Sequence, residues 1–192
     1  MGRRIVPGLA VVALVGGIAA TLCDANHVAT GTLGYPRPAL FGQAWWVLPG
    51  FVVAFLGMGV AYLVAVPRLP AGISTQQSTA PAGAGAFVEA MTSFVLLYLL
   101  SGFGNESPVL LSLVFYGAFA LRWGFAYERA WLLVLAVALA IGGMTVEGSL
   151  GALKLAAYRH VDFFHVPLWL GALYMHGAFA LREGMRVFVY RR

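Results

Sequence analysis

Gly42-Gln43-Ala44-Trp45-Trp46-Val47-Leu48-Pro49-Gly50 sets a tryptophan pair at the mouth of a long apolar run. Paired indoles suit a membrane-water boundary, because each ring is apolar in its body and has one N–H to donate to headgroups or water. The stretch therefore fixes a depth in a bilayer. Composition agrees: 61% hydrophobic residues against 10% charged leave too little polar surface to coat a soluble domain of 192 residues. The sequence thus points to one integral membrane domain.

Downstream of the pair, the apolar run continues as a helix over about residues 44–66, with Pro49 tolerated in its first turns and Pro67-Arg68 closing it. Upstream, Arg3 and Arg4 precede an apolar run over about 5–22, long for a signal segment and close to a spanning length. Between the two, Asp24 to Phe41 is turn-rich and reads as an exposed connection. Residues 67–85 form the longest polar interval and carry no apolar periodicity. Further helices are expected over about 86–103, 109–127, 130–156 and 163–181. The result is an all-α, six-transmembrane-helix bundle occupying the whole of 1–192 as a single domain.

Six crossings return the chain to its starting side, and the basic residues identify that side. Arg3, Arg4, Arg68, Arg122, Arg129, Arg182, Arg186, Arg191 and Arg192 fall on the side of the termini, and Arg37, Lys154 and Arg159 fall opposite. The bias places both termini in the cytoplasm and the tryptophan pair at the outer surface. The same distribution explains the net charge of +5 without nucleic acid. A single cysteine, Cys23, excludes an intramolecular disulfide and any cysteine cluster for a metal. Small residues at four-residue spacing, such as Ala138 and Gly142, would let helices approach closely and could support homo-oligomers.

Two acidic residues fall inside apolar runs. Glu147 admits two readings, a polar group in a ligand cavity or a solvated, paired group near Lys154. Glu89 stands near a helix start and reads as a snorkelling or helix-terminal carboxylate. His160, Asp162 and His165 cluster, but His176 lies about 16 Å further along the helix, so a metal first shell is not assembled. The cluster reads as an interfacial cap for the sixth helix, with Asp162 as the capping group. No GxSxG, HExxH, CxxC or phosphate loop is present, so neither catalytic residues nor a cofactor are expected.

Several short motifs, taken in order, resemble the Insig (insulin-induced gene) family. They are Ala44-Trp45-Trp46-Val47 with Pro49, then Leu111-Ser112-Leu113 opening the fourth helix, then Trp123, Phe125 and Arg129 at its far end. Tyr158, Asp162-Phe163 and Trp169-Leu170 continue the resemblance, which spans the second to the sixth helix. It implies a six-helix, non-enzymatic bundle whose centre encloses a lipid-accessible cavity for a hydroxylated, mostly apolar ligand. In animals the family binds oxysterol, retains the escort protein Scap in the endoplasmic reticulum, and promotes degradation of a sterol-synthesis reductase. Phe94 matches a cavity phenylalanine of the family. Two positions depart from it: the glutamine before Leu-Ser-Leu is Leu110 here, and the aspartate after Trp-x-Phe is Ala126. The scaffold is implied more strongly than the escort-binding chemistry.

The Ala, Gly, Val and Arg bias fits a GC-rich bacterial genome, of actinobacterial type, and hence an inner-membrane protein. The expected ligand is an amphipathic neutral lipid, a sterol or a diacylglycerol-like molecule. Trp45, Trp46, Pro49, Phe94, Leu110, Ser112 and Glu147 form the candidate binding set. Two rival readings remain open. One is a regulatory subunit that binds another membrane protein through the 67–85 connection and basic tail; the other is a small lipid-modifying enzyme using Glu147 or His165. Replacing Phe94 or Trp46 by a small residue is expected to weaken binding of a fluorescent sterol; unchanged binding in both would remove them from the cavity wall.

Overall fold

The computed structural model describes residues 5–70, 73 and 82–190. Arg3, Arg4, Arg191, Arg192 and much of the 67–85 connection, on which the topology and partner readings drew, lie outside the described residues. Six α-helices dominate: α1 Ile5–Ala29, α2 Val47–Ala65, α3 Ala84–Phe103, α4 Pro108–Gly124, α5 Arg129–Ala152 and α6 Trp169–Gly184. A π-helical turn, Met185–Val189, continues α6. Two short strands, β1 Leu33–Gly34 and β2 Ala157–Tyr158, pair antiparallel.

α1, α2, α3 and α5 are long and apolar enough to cross a membrane, and α4 is a shorter apolar helix. Large apolar side chains such as Val53, Leu96, Leu113 and Ile141 are exposed around the outside. In water such a surface would drive association, whereas in a bilayer it matches the solvent. The chain is an integral membrane protein.

α6 is the exception, since it is the least apolar of the six helices and the most enclosed. It packs against α3, α4 and α5, and its π-helical extension packs against α1. Of its 16 residues 13 are buried, including His176, Arg182 and Glu183. α1 and α2 form a separate close pair, with the rings and methyls of Phe55 and Val52 seated on Gly16 and Gly17 of α1.

Successive helices alternate in direction. At one end, Tyr62 of α2 meets Trp131 of α5 with ring centroids 5.5 Å apart, Phe87 of α3 meets Phe188 at 5.0 Å, and Glu89 pairs with Arg122 at 2.8 Å. Gly8 of α1 lies against the backbone of Phe188 at the same end. At the other end, His27 of α1 meets Ser101 of α3 at 2.7 Å and Trp169 of α6 at a ring-centroid distance of 5.5 Å. The paired strands join the α1–α2 and α5–α6 connections there, reinforced by Arg159 N–H to Thr32 O at 3.0 Å.

The first end carries an ionic cluster. Arg182 Nε and Arg186 Nη1 donate to opposite oxygens of Glu183 at 3.0 and 2.9 Å, and the Tyr127 hydroxyl donates to the same carboxylate. The Arg182 guanidinium also covers the Tyr127 ring at 3.9 Å, and Arg122 covers Phe179 at 4.1 Å. Buried guanidiniums are tolerated here because carboxylates and π-faces replace the water they lose.

Several helix ends differ from the expectation. α1 continues to Ala29 instead of ending near residue 22, so Asp24 and His27 are buried in a helix and not exposed in a loop. Hydropathy alone ended the helix at the first polar residues, but these have partners inside the bundle. α4 and α5 stop at Gly124 and Ala152, short of 127 and 156. α6 begins at Trp169, not near 163, because Phe163 and Val166 close a tight turn. Asp162 accepts a hydrogen bond from Leu168 N–H at 2.8 Å just ahead of α6. The Ala138–Gly142 pair is not a close contact, since the space beside Gly142 is open.

A side chain at Gly8 would collide with the Phe188 carbonyl, which is backbone and cannot move aside. Gly8→Val is expected to lower stability in detergent by about 1–3 kcal/mol. Gly142→Ala, with open space beside it, should leave the thermal midpoint unchanged.

Candidate functional site

The helix with most of its surface enclosed keeps accessible surface at Tyr174, Met175 and Gly177 alone among its residues. Beside Tyr174 the fold assembles a polar cluster from six separate segments: Asp24 of α1, Tyr35 after β1, Tyr98 of α3, Glu147 of α5, Tyr158 of β2 and Tyr174 of α6.

The hydrogen bonds define its chemistry. Tyr35 Oη donates to Asp24 Oδ2 at 2.8 Å, and Gln43 Nε2 donates to the same oxygen at 2.7 Å. Tyr174 Oη donates to Glu147 Oε1 at 3.1 Å. The Tyr174 ring lies directly on Gly143, which has no side chain to block it. Phenols that have given their proton to a carboxylate can only accept further hydrogen bonds. The Tyr35 and Tyr174 hydroxyls therefore present acceptors to an incoming donor.

The electrostatics bind the cluster into one unit. Burial pushes the Tyr35 phenol well above its usual value, and the carboxylates of Asp24 and Glu147 push it further. Burial also raises Tyr158, with Glu147, Tyr98, Tyr174 and Asp24 adding to the effect. Both phenols stay protonated across the physiological range, as donors to the carboxylates must.

Aromatic contacts surround the cluster. Trp46 meets Tyr35 edge-on at 5.7 Å, Phe94 meets Tyr98 at 5.8 Å, and Tyr158 meets Trp169 at 6.2 Å. Phe94 also lies beside Gly177. α2 packs chiefly along α1 and touches α5 through Tyr62 and Trp131 at the far end.

Of the residues singled out from the sequence, Glu147, Trp46 and Phe94 adjoin this cluster. Trp45 is 77% exposed and Leu110 60% exposed, and Pro49 is also exposed. Ser112 donates its hydroxyl to Pro108 O, one turn back at 2.9 Å. The sequence reading missed Asp24 and the four tyrosines. The available signal was Asp24 and His27 at three-residue spacing after an apolar helix, which marks a polar face rather than a loop. Among the described residues, no three His, Cys, Asp or Glu group to hold a metal. Glu89 accepts from Ser93 and Arg122 at the opposite end of the bundle.

No protein-family model matches the chain, and no curated protein matches it. Two solved structures share its fold. One is a mycobacterial Insig homologue, MvINS from Mycobacterium vanbaalenii, with a TM-score of 0.75 and 20% identity over 99% of this chain and 98% of that one. The other is a cross-linked trimer of an MvINS cysteine variant, with a TM-score of 0.76 and 22% identity over the same shares. Both likenesses are to the family that the motifs resemble.

The raised phenols have a consequence for pH dependence. Below pH 10, the ordinary tyrosine value, folded and unfolded chains both hold these protons and stability is unaffected. Above it the unfolded chain releases them while the folded one does not, so stability falls. Tyr35→Phe should flatten the alkaline limb of a plot of thermal midpoint against pH; an unchanged slope would mean Tyr35 is solvated.

Proposed function

We propose that the chain is an Insig-type membrane protein that holds an amphipathic neutral lipid, a sterol or a diacylglycerol-like molecule, in an intramembrane cavity and signals its presence. The reading rests on one observation: the carboxylates of Asp24 and Glu147 are gathered with tyrosine hydroxyls inside an otherwise apolar bundle. A free lipid hydroxyl is a donor such a cluster can bind, with its apolar body against the neighbouring rings of Trp46 and Phe94. An ester or ketone brings no proton and would leave buried acceptors facing one another.

In this reading Trp46, Phe94 and Glu147 touch the ligand. Trp45, Pro49, Leu110 and Ser112 flank the helix ends that frame the entrance. α4 and the α6 unit cross the membrane with the four longer helices, giving a single six-crossing domain. Its termini are cytoplasmic, as the basic residues favour, in a bacterial inner membrane. The protein is regulatory and not an enzyme, and it self-associates. The cross-linked MvINS trimer supports self-association.

Native extraction and mass spectrometry of co-purified lipid test the proposal. One neutral, hydroxyl-bearing lipid per chain is expected, reduced about tenfold in Glu147→Ala and in Tyr174→Phe. Recovery of bulk phospholipid alone, in the proportions of the surrounding membrane, would sink it. A stoichiometric membrane-protein partner without lipid would favour the regulatory-subunit reading instead.

A further inference from the structure

The bundle end farthest from the tyrosine cluster has a groove of about 610 Å3, lined by Trp123, Glu128, Arg129, Trp131 and Leu133 among others. It opens at the start of α5, a helix of 24 residues with no acidic residue in its first turn and no side-chain hydrogen bond at its N-cap. The first N–H groups of such a helix have no intrahelical acceptor, and the peptide dipoles make them electropositive. Glu128 precedes them in the left-handed region, with φ of 50°, and its backbone carbonyl accepts from Leu132 N–H at 2.9 Å.

A second observation is independent of the helix terminus. Trp131, 3% exposed, forms part of the groove wall, and its indole N–H is buried without an acceptor. Buried N–H groups are ordinarily satisfied, so this one calls for an acceptor from outside the chain. Its neighbour Trp123 has its own N–H satisfied by Arg129 O at 2.9 Å, so only one of the two groove indoles is left wanting. The exposed Arg129 guanidinium stands at the same wall, with a long contact of 3.4 Å to Gly124 O.

The geometry points to a phosphate-binding site at the N-terminus of α5, occupied by the phosphodiester of a membrane phospholipid. Arg129, the free N–H groups of the first turn and the Trp131 indole would supply the donors, an arrangement suited to an anionic oxygen. The lipid source follows from what adjoins the groove. Leu133, Val134 and Val137 run on from it along α5 as exposed apolar surface, which gives the acyl chains a continuous path. A soluble phosphate would gain nothing from that surface.

The test is native mass spectrometry of the delipidated full chain titrated with dioctanoyl phosphatidylglycerol. One tightly held molecule is expected, with affinity about tenfold lower in Arg129→Gln and in Trp131→Phe. Dioctanoylglycerol, which lacks the phosphate, should not compete, and inorganic phosphate should not displace the lipid. Wild-type affinity in Arg129→Gln or in folded Trp131→Phe would overturn the site. Competition by dioctanoylglycerol would overturn the phosphate as its determinant, and displacement by inorganic phosphate would overturn the lipid. Because the tyrosine cluster lies at the other end of the bundle, Tyr174→Phe should bind phosphatidylglycerol as wild type does.

Discussion

A hydrocarbon solvent cannot hydrate a polar side chain, so a helix bearing His176, Arg182 and Glu183 must be enclosed by other helices. That constraint organises the molecule. α6 carries these groups at the centre, and the more apolar helices surround it with lipid-compatible faces. A soluble protein buries its apolar residues and exposes its charges; here the least apolar helix is the least accessible. The covering helices are not uniform, because α1 and α2 form one close pair while α3, α4 and α5 pack directly on α6. The polar cluster draws on both groups, with Asp24 on α1 and Glu147 and Tyr174 on α5 and α6.

The two ends of the bundle solve the problem of buried polarity differently. At the end of the chain termini, cations meet carboxylates and aromatic faces, and Glu183 is shared between Arg182 and Arg186. Charges there are matched within the protein. Among the described residues, the carboxylates of Asp24 and Glu147 in the tyrosine cluster receive hydrogen bonds from neutral donors, phenols and an amide. Neutral donors satisfy individual lone pairs without cancelling charge, so this end remains open to a further donor. The first arrangement is suited to fixing structure and the second to binding.

How legible this was depends on what each residue reports locally. Apolar runs bounded by Pro67-Arg68 or by Gly104 to Pro108 mark α2 and α3 plainly, because length and hydropathy are properties of a segment. α6 was blurred at its start, where Phe163, Phe164 and Val166 look like helix but close a turn. The extension of α1 was hidden for the opposite reason: Asp24 and His27 look like loop residues until Gln43, Tyr35 and Ser101 are seen to satisfy them. Glu147 stood out from the sequence as a carboxylate in an apolar run. The tyrosines did not, since an aromatic residue with one hydroxyl is unremarkable anywhere in a membrane helix. Their role depends on contacts far apart in the chain, and no pattern within one helix carries that information.

The central position of α6 also bears on assembly, because it is the last of the six helices to be synthesised. Until it emerges, α3, α4 and α5 lack the surface on which they pack, and the polar cluster lacks Tyr174. The earlier helices must therefore wait in the bilayer with their inner faces turned to lipid or to insertion machinery. Completion is then a single late event in which a marginally hydrophobic segment is drawn in by its partners rather than by the membrane, and quality control of the whole fold reduces to whether that final helix has been accepted.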